Sequence, residues 1–171
     1  MKKKIILITG GAKSGKSRIA LDKASSFAHK VFIATAEAKD DEMMVKIQKH
    51  KEERGNDWLT IEEPLNLVEA IRSIREDSVI LIDCITLWLT NLMMNFTSDE
   101  IEKKIDAFIE LLKQSPNSFI LVTNEVGMGV VPTSDMGRRF IELSGRTNQK
   151  LATVSPTVLM AVSGLPLVIK E

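Results

Sequence analysis

A short apolar run, Ile5-Ile6-Leu7-Ile8, delivers the chain straight into Gly10-Gly11-Ala12-Lys13-Ser14-Gly15-Lys16-Ser17, and Arg18 to Ala24 follow with helical composition. The octapeptide fits G-x-x-x-x-G-K-[ST], a pattern that works only where a buried strand ends and a helix begins. Its glycines let successive backbone N–H groups turn inward on phosphate oxygens, and the following helix presents its positive end to the same anion. Lys16 is then placed to reach the β- and γ-phosphates, and the Ser17 hydroxyl to ligate Mg²⁺. A nucleoside triphosphate site on an α/β fold is therefore expected at the front of the chain. A plain Gly/Ser turn would not require the Lys-Ser ending.

The rest of the chain has the matching alternation. Apolar, β-rich segments recur at Lys4 to Ile8, Val31 to Thr35, Val79 to Ile82, Phe119 to Thr123 and Val158 to Val162, with helix-like segments between most of them. That order predicts one domain built on a mostly parallel sheet covered by helices on both faces. The best-defined helix starts near Thr97, where Thr97 and Glu100 have capping-box spacing and Ile101, Ile105, Phe108 and Leu112 recur at helical intervals. Leu167-Val168-Ile169 follows Ser163-Gly164-Leu165-Pro166 too closely for a parallel crossover, so it is expected to pair antiparallel at an edge.

Ligands in such sheets bind at the carboxyl ends of the strands. This rule gathers Thr9 and Gly10, Ala34 to Ala36, Asp83, and Asn124-Glu125 onto one rim. Val79-Ile80-Leu81-Ile82-Asp83 reads as a buried strand ending in a carboxylate, the usual device for holding Mg²⁺ and its waters opposite a phosphate loop. The other reading of Asp83 is a cap on the helix starting at Ile85.

Composition removes several classes. Lys plus Arg equals Asp plus Glu at 23 each, so the basic excess of a nucleic-acid binder is missing. No run approaches the ~20 apolar residues of a membrane span. The lysines before Ile5 read as the solvated start of a strand, since the apolar run after them is shorter than the ~7 to 15 residues of an export signal. The single cysteine, Cys84, rules out an internal disulfide and reads as a small buried thiol, which suits a reducing cytoplasm. Thr123-Asn124-Glu125-Val126 lacks the Lys and Asp of a guanine-reading switch motif. A small-molecule kinase or nucleotidyl transferase remains.

Residues 39–54 should form a helix on which Lys46, His50 and Arg54 share one stripe. Flanking cations favour a neutral, nucleophilic imidazole and can offset charge on an attacked phosphate. An ordinary charged surface helix has the same spacing. His29, the other histidine, is expected to cap a helix C-terminus.

Taken together, these residues make the chain resemble the bifunctional adenosylcobinamide kinase/adenosylcobinamide-phosphate guanylyltransferase family of cobalamin biosynthesis. The resemblance runs along Ile8 to Ser17, Ile33-Ala34-Thr35-Ala36, Asp40-Asp41-Glu42-Met43, Ile47-Gln48-Lys49-His50-Lys51 with Arg54 and Trp58, Cys84-Ile85-Thr86 with Thr90-Asn91-Leu92, Val122 to Pro132, and Gly145 to Ala152. It implies a RecA-like P-loop NTPase fold with an antiparallel C-terminal edge strand, a homotrimer, and two activities. One phosphorylates the aminopropanol hydroxyl of adenosylcobinamide with ATP or GTP. The other moves GMP from GTP through a guanylyl-histidine onto adenosylcobinamide phosphate, releasing pyrophosphate.

By the same resemblance His50 is the guanylylated residue, with Lys16 as its catalytic partner at the phosphates. Nucleotide contacts carry over to Gly10, Gly11, Ala12, Lys13, Ser14, Gly15, Lys16 and Ser17, to Ala34, Thr35 and Ala36, to Lys51, Glu52, Glu53 and Arg54, and to Glu62 and Asp83. Ser17 and Asp83 are the candidate Mg²⁺ ligands. Many relatives have Glu, Pro, Arg, and His or Arg where this chain has Asp83, Gly55, Leu59 and Lys49. The base for the kinase step is open between Asp83 and Glu125. A single-activity kinase or guanylyltransferase, or a nucleotide-binding subunit without turnover, is the rival reading. Trimer contacts are sought on Ile85 to Met94, which core packing explains equally well.

Overall fold

The computed structural model describes residues 3–36 and 57–171. Among the described residues seven strands form one sheet: β1 (Ile5–Gly10), β2 (Lys30–Ala34), β3 (Trp58–Glu62), β4 (Val79–Asp83), β5 (Ser118–Val122), β6 (Thr157–Val162) and β7 (Leu165–Lys170), in spatial order β3-β2-β4-β5-β1-β6-β7. Every pairing is parallel except β6 with β7, so the expected antiparallel edge strand is present. Its turn is tighter than the sequence suggested. Ser163 and Gly164 alone make it, both with positive φ, as a two-residue hairpin turn requires, and Pro166 sits within the edge strand, where a missing N–H can be tolerated.

The described helices are α1 (Lys16–Ala24), α2 (Leu67–Arg72), α3 (Ile85–Asn95), α4 (Ser98–Gln114) and α5 (Asp135–Val154). Strand alternation sorts the core into two faces. Ile6, Ile8, Leu81, Ile120 and Val122 pack on Ile19, Ala20 and Ala24 of α1. Ile5, Leu7, Ile80, Ile82 and Leu121 turn the other way, against Trp88 and Leu92 of α3, Ile105 and Phe108 of α4, and Leu143 and Leu151 of α5. Trp88 is nearly fully buried, stacks edge-on against Phe108 at 5.3 Å and donates its indole N–H to the Leu65 carbonyl at 3.0 Å. The Thr97/Glu100 capping box opens α4 as its spacing predicts.

Three expectations change. β3, at the sheet edge, gave little apolar signal because Trp58 to Glu62 are only partly buried or exposed. α1 ends at Ala24, five residues before His29, so His29 caps no helix; its carbonyl accepts the Val79 N–H at 2.9 Å instead. On α3, Ile85, Trp88, Leu89 and Leu92 are core, and Met94 is its exposed large apolar side chain. Exposed apolar groups lie instead at Met128, Val130, Val131 and Met136 and along β7.

Candidate functional site

The rim forms where the sheet's register brings strand ends level: Ala34 pairs with Asp83, Asp83 with Val122, and Val122 with Ile8. From Gly10 the chain turns through Gly11 to Gly15 into α1. Gly10 (φ +144°) and Gly15 (φ +95°) occupy backbone conformations that side chains disfavour. A Cβ on Gly10 would lie 2.5 Å from the Ala161 carbonyl oxygen of β6, and one on Gly15 would lie 2.9 Å from Gly164 Cα. The hairpin turn thus presses directly on the loop. Gly164 N–H donates to the Ser14 carbonyl at 2.9 Å, and the Arg18 guanidinium closes the contact onto the Gly164 carbonyl at 3.0 Å.

No side chain caps α1 and no acid lies in its first turn, so its amino end presents uncapped N–H groups to an anion. Lys16 is 7 % exposed and folds its ammonium over the loop, donating to the Gly11 carbonyl at 2.5 Å and to Ser14 Oγ at 3.5 Å. Burial pulls its pKa below the ordinary lysine value, and the Asp83 carboxylate partly restores it. Ser17 Oγ donates to Asp83 Oδ2 at 2.7 Å. This contact joins the two halves of the predicted Mg²⁺ site: a hydroxyl and a carboxylate, hard oxygen donors beside a phosphate loop, suit a cation held mainly by phosphates and water. Among the described residues no cluster of three or more His, Cys, Asp or Glu could hold a metal alone.

The remaining predicted residues are distributed as follows. Ala34 and Thr35 are buried and Ala36 half-buried at the end of β2. The Thr35 hydroxyl is turned inward, donating to the Cys84 carbonyl at 2.7 Å and accepting from its N–H at 2.9 Å, while Asn91 donates to the Thr35 carbonyl at 2.8 Å. Thr35 therefore fixes the strand end through its side chain. Gly11, Ala12 and Lys13 are exposed, and Ser14 is half-buried beneath Lys16. Glu62, exposed at the end of β3, shares the rim but lies four strand spacings from β1, roughly 19 Å. His50, Lys51, Glu52, Glu53 and Arg54, with the rest of the helix expected over 39–54, lie outside the described residues.

Two features escaped sequence reasoning. The first is the clamp from Gly164 and Arg18, for which Ser-Gly before a strand was the available signal. The second is a polar network below the rim: Thr123 donates to Asn148 Oδ1 at 2.9 Å, Asn148 donates to the Asn124 carbonyl at 3.3 Å, and the Asn124 N–H donates to Thr86 Oγ1 at 2.7 Å. It ties β5, α3 and α5 together under Glu125. That acid receives the Thr9 hydroxyl at Oε2, 3.4 Å away, and donates its backbone N–H to the Gly10 carbonyl at 3.1 Å.

A family model described as "Cobinamide kinase / cobinamide phosphate guanyltransferase" matches residues 6–169, nearly the whole chain. The chain belongs to this family. It is 42 % identical over 166 residues to the bifunctional adenosylcobalamin biosynthesis protein CobP of Pseudomonas aeruginosa, covering 96 % of both chains. To the bifunctional adenosylcobalamin biosynthesis protein CobU of Escherichia coli it is 37 % identical over 180 residues, covering 97 % of this chain and 99 % of that one. Among solved structures, a Pyrococcus horikoshii protein, PH0250, matches with a TM-score of 0.57 at 9 % identity, covering 98 % of this chain and 86 % of that one. A type III secretion ATPase matches with a TM-score of 0.51 at 10 % identity, covering 92 % of this chain and 50 % of that one. These two likenesses bear on the fold alone, a mostly parallel sheet flanked by helices. Among the described residues no helix is long and apolar enough to cross a membrane.

Proposed function

We propose that this family member phosphorylates adenosylcobinamide with ATP or GTP and transfers GMP from GTP to the resulting phosphate through a guanylyl-histidine on His50. The observation that carries the reading is membership of the cobinamide kinase / cobinamide phosphate guanyltransferase family along nearly the full chain. The joined phosphate loop and Asp83 support it. One cradle can serve both reactions. Binding the triphosphate draws Lys16 from the Gly11 carbonyl onto phosphate oxygens, and the α1 N–H groups and loop amides take the rest of the charge. In the first reaction the γ-phosphate is transferred; in the second, His50 attacks the α-phosphorus and pyrophosphate leaves.

Ser17 and Asp83 would hold Mg²⁺ against the phosphates, where a bound cation supplies charge neutralisation on the transferred group and the leaving group. Gly10 to Ser17, with Ala34 to Ala36, Lys51 to Arg54, Glu62 and Asp83, make up the proposed nucleotide contacts. A cytoplasmic homotrimer is the proposed assembly, checked by light scattering of the purified protein.

The test uses α-labelled GTP. Wild-type protein should acquire acid-labile, base-stable label, His50→Ala should not, and adenosylcobinamide with GTP should yield the phosphate and then adenosylcobinamide-GDP. A His50→Ala protein that still labels overturns the histidine assignment. Formation of only one product would favour a single-activity enzyme, and of neither a binding subunit.

A further inference from the structure

We infer that Glu125 is the general base of the kinase step, accepting the proton of the acceptor hydroxyl as its oxygen attacks the γ-phosphorus. This rests on the kinase half of the reading above. Three observations point to it.

The first is position. β5 lies between β1, which carries the phosphate loop, and β4, which ends in Asp83. A side chain leaving β5 is therefore about one strand spacing, ~4.8 Å, from each half of the phosphate site. Glu125 is two residues past the Thr123 N–H, which pairs with the Ile8 carbonyl at 3.0 Å, and its own N–H continues that pairing to Gly10.

The second is the face it occupies. On β1, Ile6 and Ile8 face α1, while Ile5 and Leu7 face α3 to α5. Alternation puts the Thr9 side chain on the face away from α1, and this hydroxyl contacts Glu125 Oε2. The loop and α1 cradle the triphosphate from their own side. In-line transfer needs the attacking oxygen opposite the departing nucleoside diphosphate. A carboxylate on the far face meets an acceptor arriving from there.

The third is rigidity combined with availability. The backbone from Thr123 to Glu125 is held by Ile8, Gly10, Thr86 and Asn148, so the carboxylate stands on a fixed base. Its contact to Thr9 is long at 3.4 Å, a weak hold that leaves the carboxylate able to take another partner. Asp83 is differently engaged: it accepts the Ser17 hydroxyl at 2.7 Å and faces the proposed cation site. A carboxylate neutralised by a cation is a poor proton acceptor, so of these two rim acids Glu125 is the one suited to that role.

The step balances. The acceptor oxygen bonds to the γ-phosphorus, the bond from that phosphorus to the β–γ bridging oxygen breaks, and the nucleoside diphosphate leaves with its electron pair. The hydroxyl proton passes to the Glu125 carboxylate and then to water.

The test compares wild type, Glu125→Gln and Glu125→Asp in phosphorylation of cobinamide, with fluorescent-GTP titration and thermal melting alongside. Loss of a general base is expected to lower kcat by about 10²–10⁴-fold. Glu125→Asp should recover part of this, and the KM for cobinamide, GTP affinity and melting temperature should stay near wild type. A Glu125→Gln kcat within about fivefold of wild type overturns the inference. So does a fall matched by equal losses in GTP affinity and melting temperature, which would mark a structural role. Wild-type protein unable to phosphorylate cobinamide at all would remove the kinase reading itself, and this inference with it.

Discussion

Gly15→Ala probes the contact between the phosphate loop and the β6–β7 turn. Gly15 has φ +95°, and its missing Cβ would stand 2.9 Å from Gly164 Cα, a backbone atom that cannot rotate aside. An L-residue in left-handed geometry costs about 1–2 kcal/mol. Relieving the overlap would lengthen the Gly164 N–H to Ser14 carbonyl bond, a net ~0.5–1.5 kcal/mol. The sum is about 1.5–3.5 kcal/mol, which for a chain of this size corresponds to a fall of about 3–14 °C in Tm. The nucleotide should reveal where the damage lies. Mg·GTP at 100 times its Kd stabilises the wild type by about 2.7 kcal/mol; a loop distorted enough to weaken binding 100-fold would gain only ~0.4 kcal/mol at the same concentration. Thermal melting with and without Mg·GTP measures both effects. Gly145→Ala is the control, because that helical glycine has nothing within 4 Å of a Cβ and the substitution should raise stability by up to ~1 kcal/mol. A Gly15→Ala protein with wild-type Tm and a wild-type nucleotide shift would refute the proposed clamp.

Other substitutions address separate parts of the structure. Asp83→Ala should abolish Mg²⁺-dependent turnover while shifting Tm far less, and Ser17→Ala should raise the Mg²⁺ concentration needed for half-maximal rate; unchanged turnover would reject the cation site. Trp88→Ala removes a buried ring packed on Phe108 and leaves the Leu65 carbonyl without its indole donor, so chemical denaturation should report a loss of about 3–5 kcal/mol. Burial pushes the Cys84 thiol up to about 11, above its ordinary 9.0. The folded state thus keeps the proton longer than the unfolded chain. The resulting stability is fully present below pH 9 and is lost as pH rises toward 11, so denaturation midpoints should fall over that interval and fall less in Cys84→Ala. The same thiol should react with an alkylating reagent at pH 8 only after denaturant is added.

How much of this the sequence disclosed follows from how local each signal is. The phosphate loop, the carboxylate ending β4 and the Thr97/Glu100 box are each specified within a few neighbouring residues, and the structure has all three. β3 was missed because an edge strand needs no apolar alternation, and Leu59, 60 % exposed, sits where the eye looks for a core residue. α5 was hard to see because its buried set is short and half polar: Leu143, Ser144, Thr147 and Leu151. The inward turn of Thr35 and the Thr86–Thr123–Asn148 network depend on which elements become neighbours, which no local pattern encodes. His29 was misread because the chain leaves its helix early, at Ala24, and uses five residues to reach β2.

Lys16 directs its ammonium at the loop's own neutral oxygens, the Gly11 carbonyl and the Ser14 hydroxyl. On the proposed function, ligand entry is an exchange of partners, in which a buried cation trades a carbonyl and a hydroxyl for anionic oxygens. The exchange rewards formal charge more than shape. On the proposed function, a polyphosphate that brings more charge is the better competitor for this lysine, whatever its base or sugar.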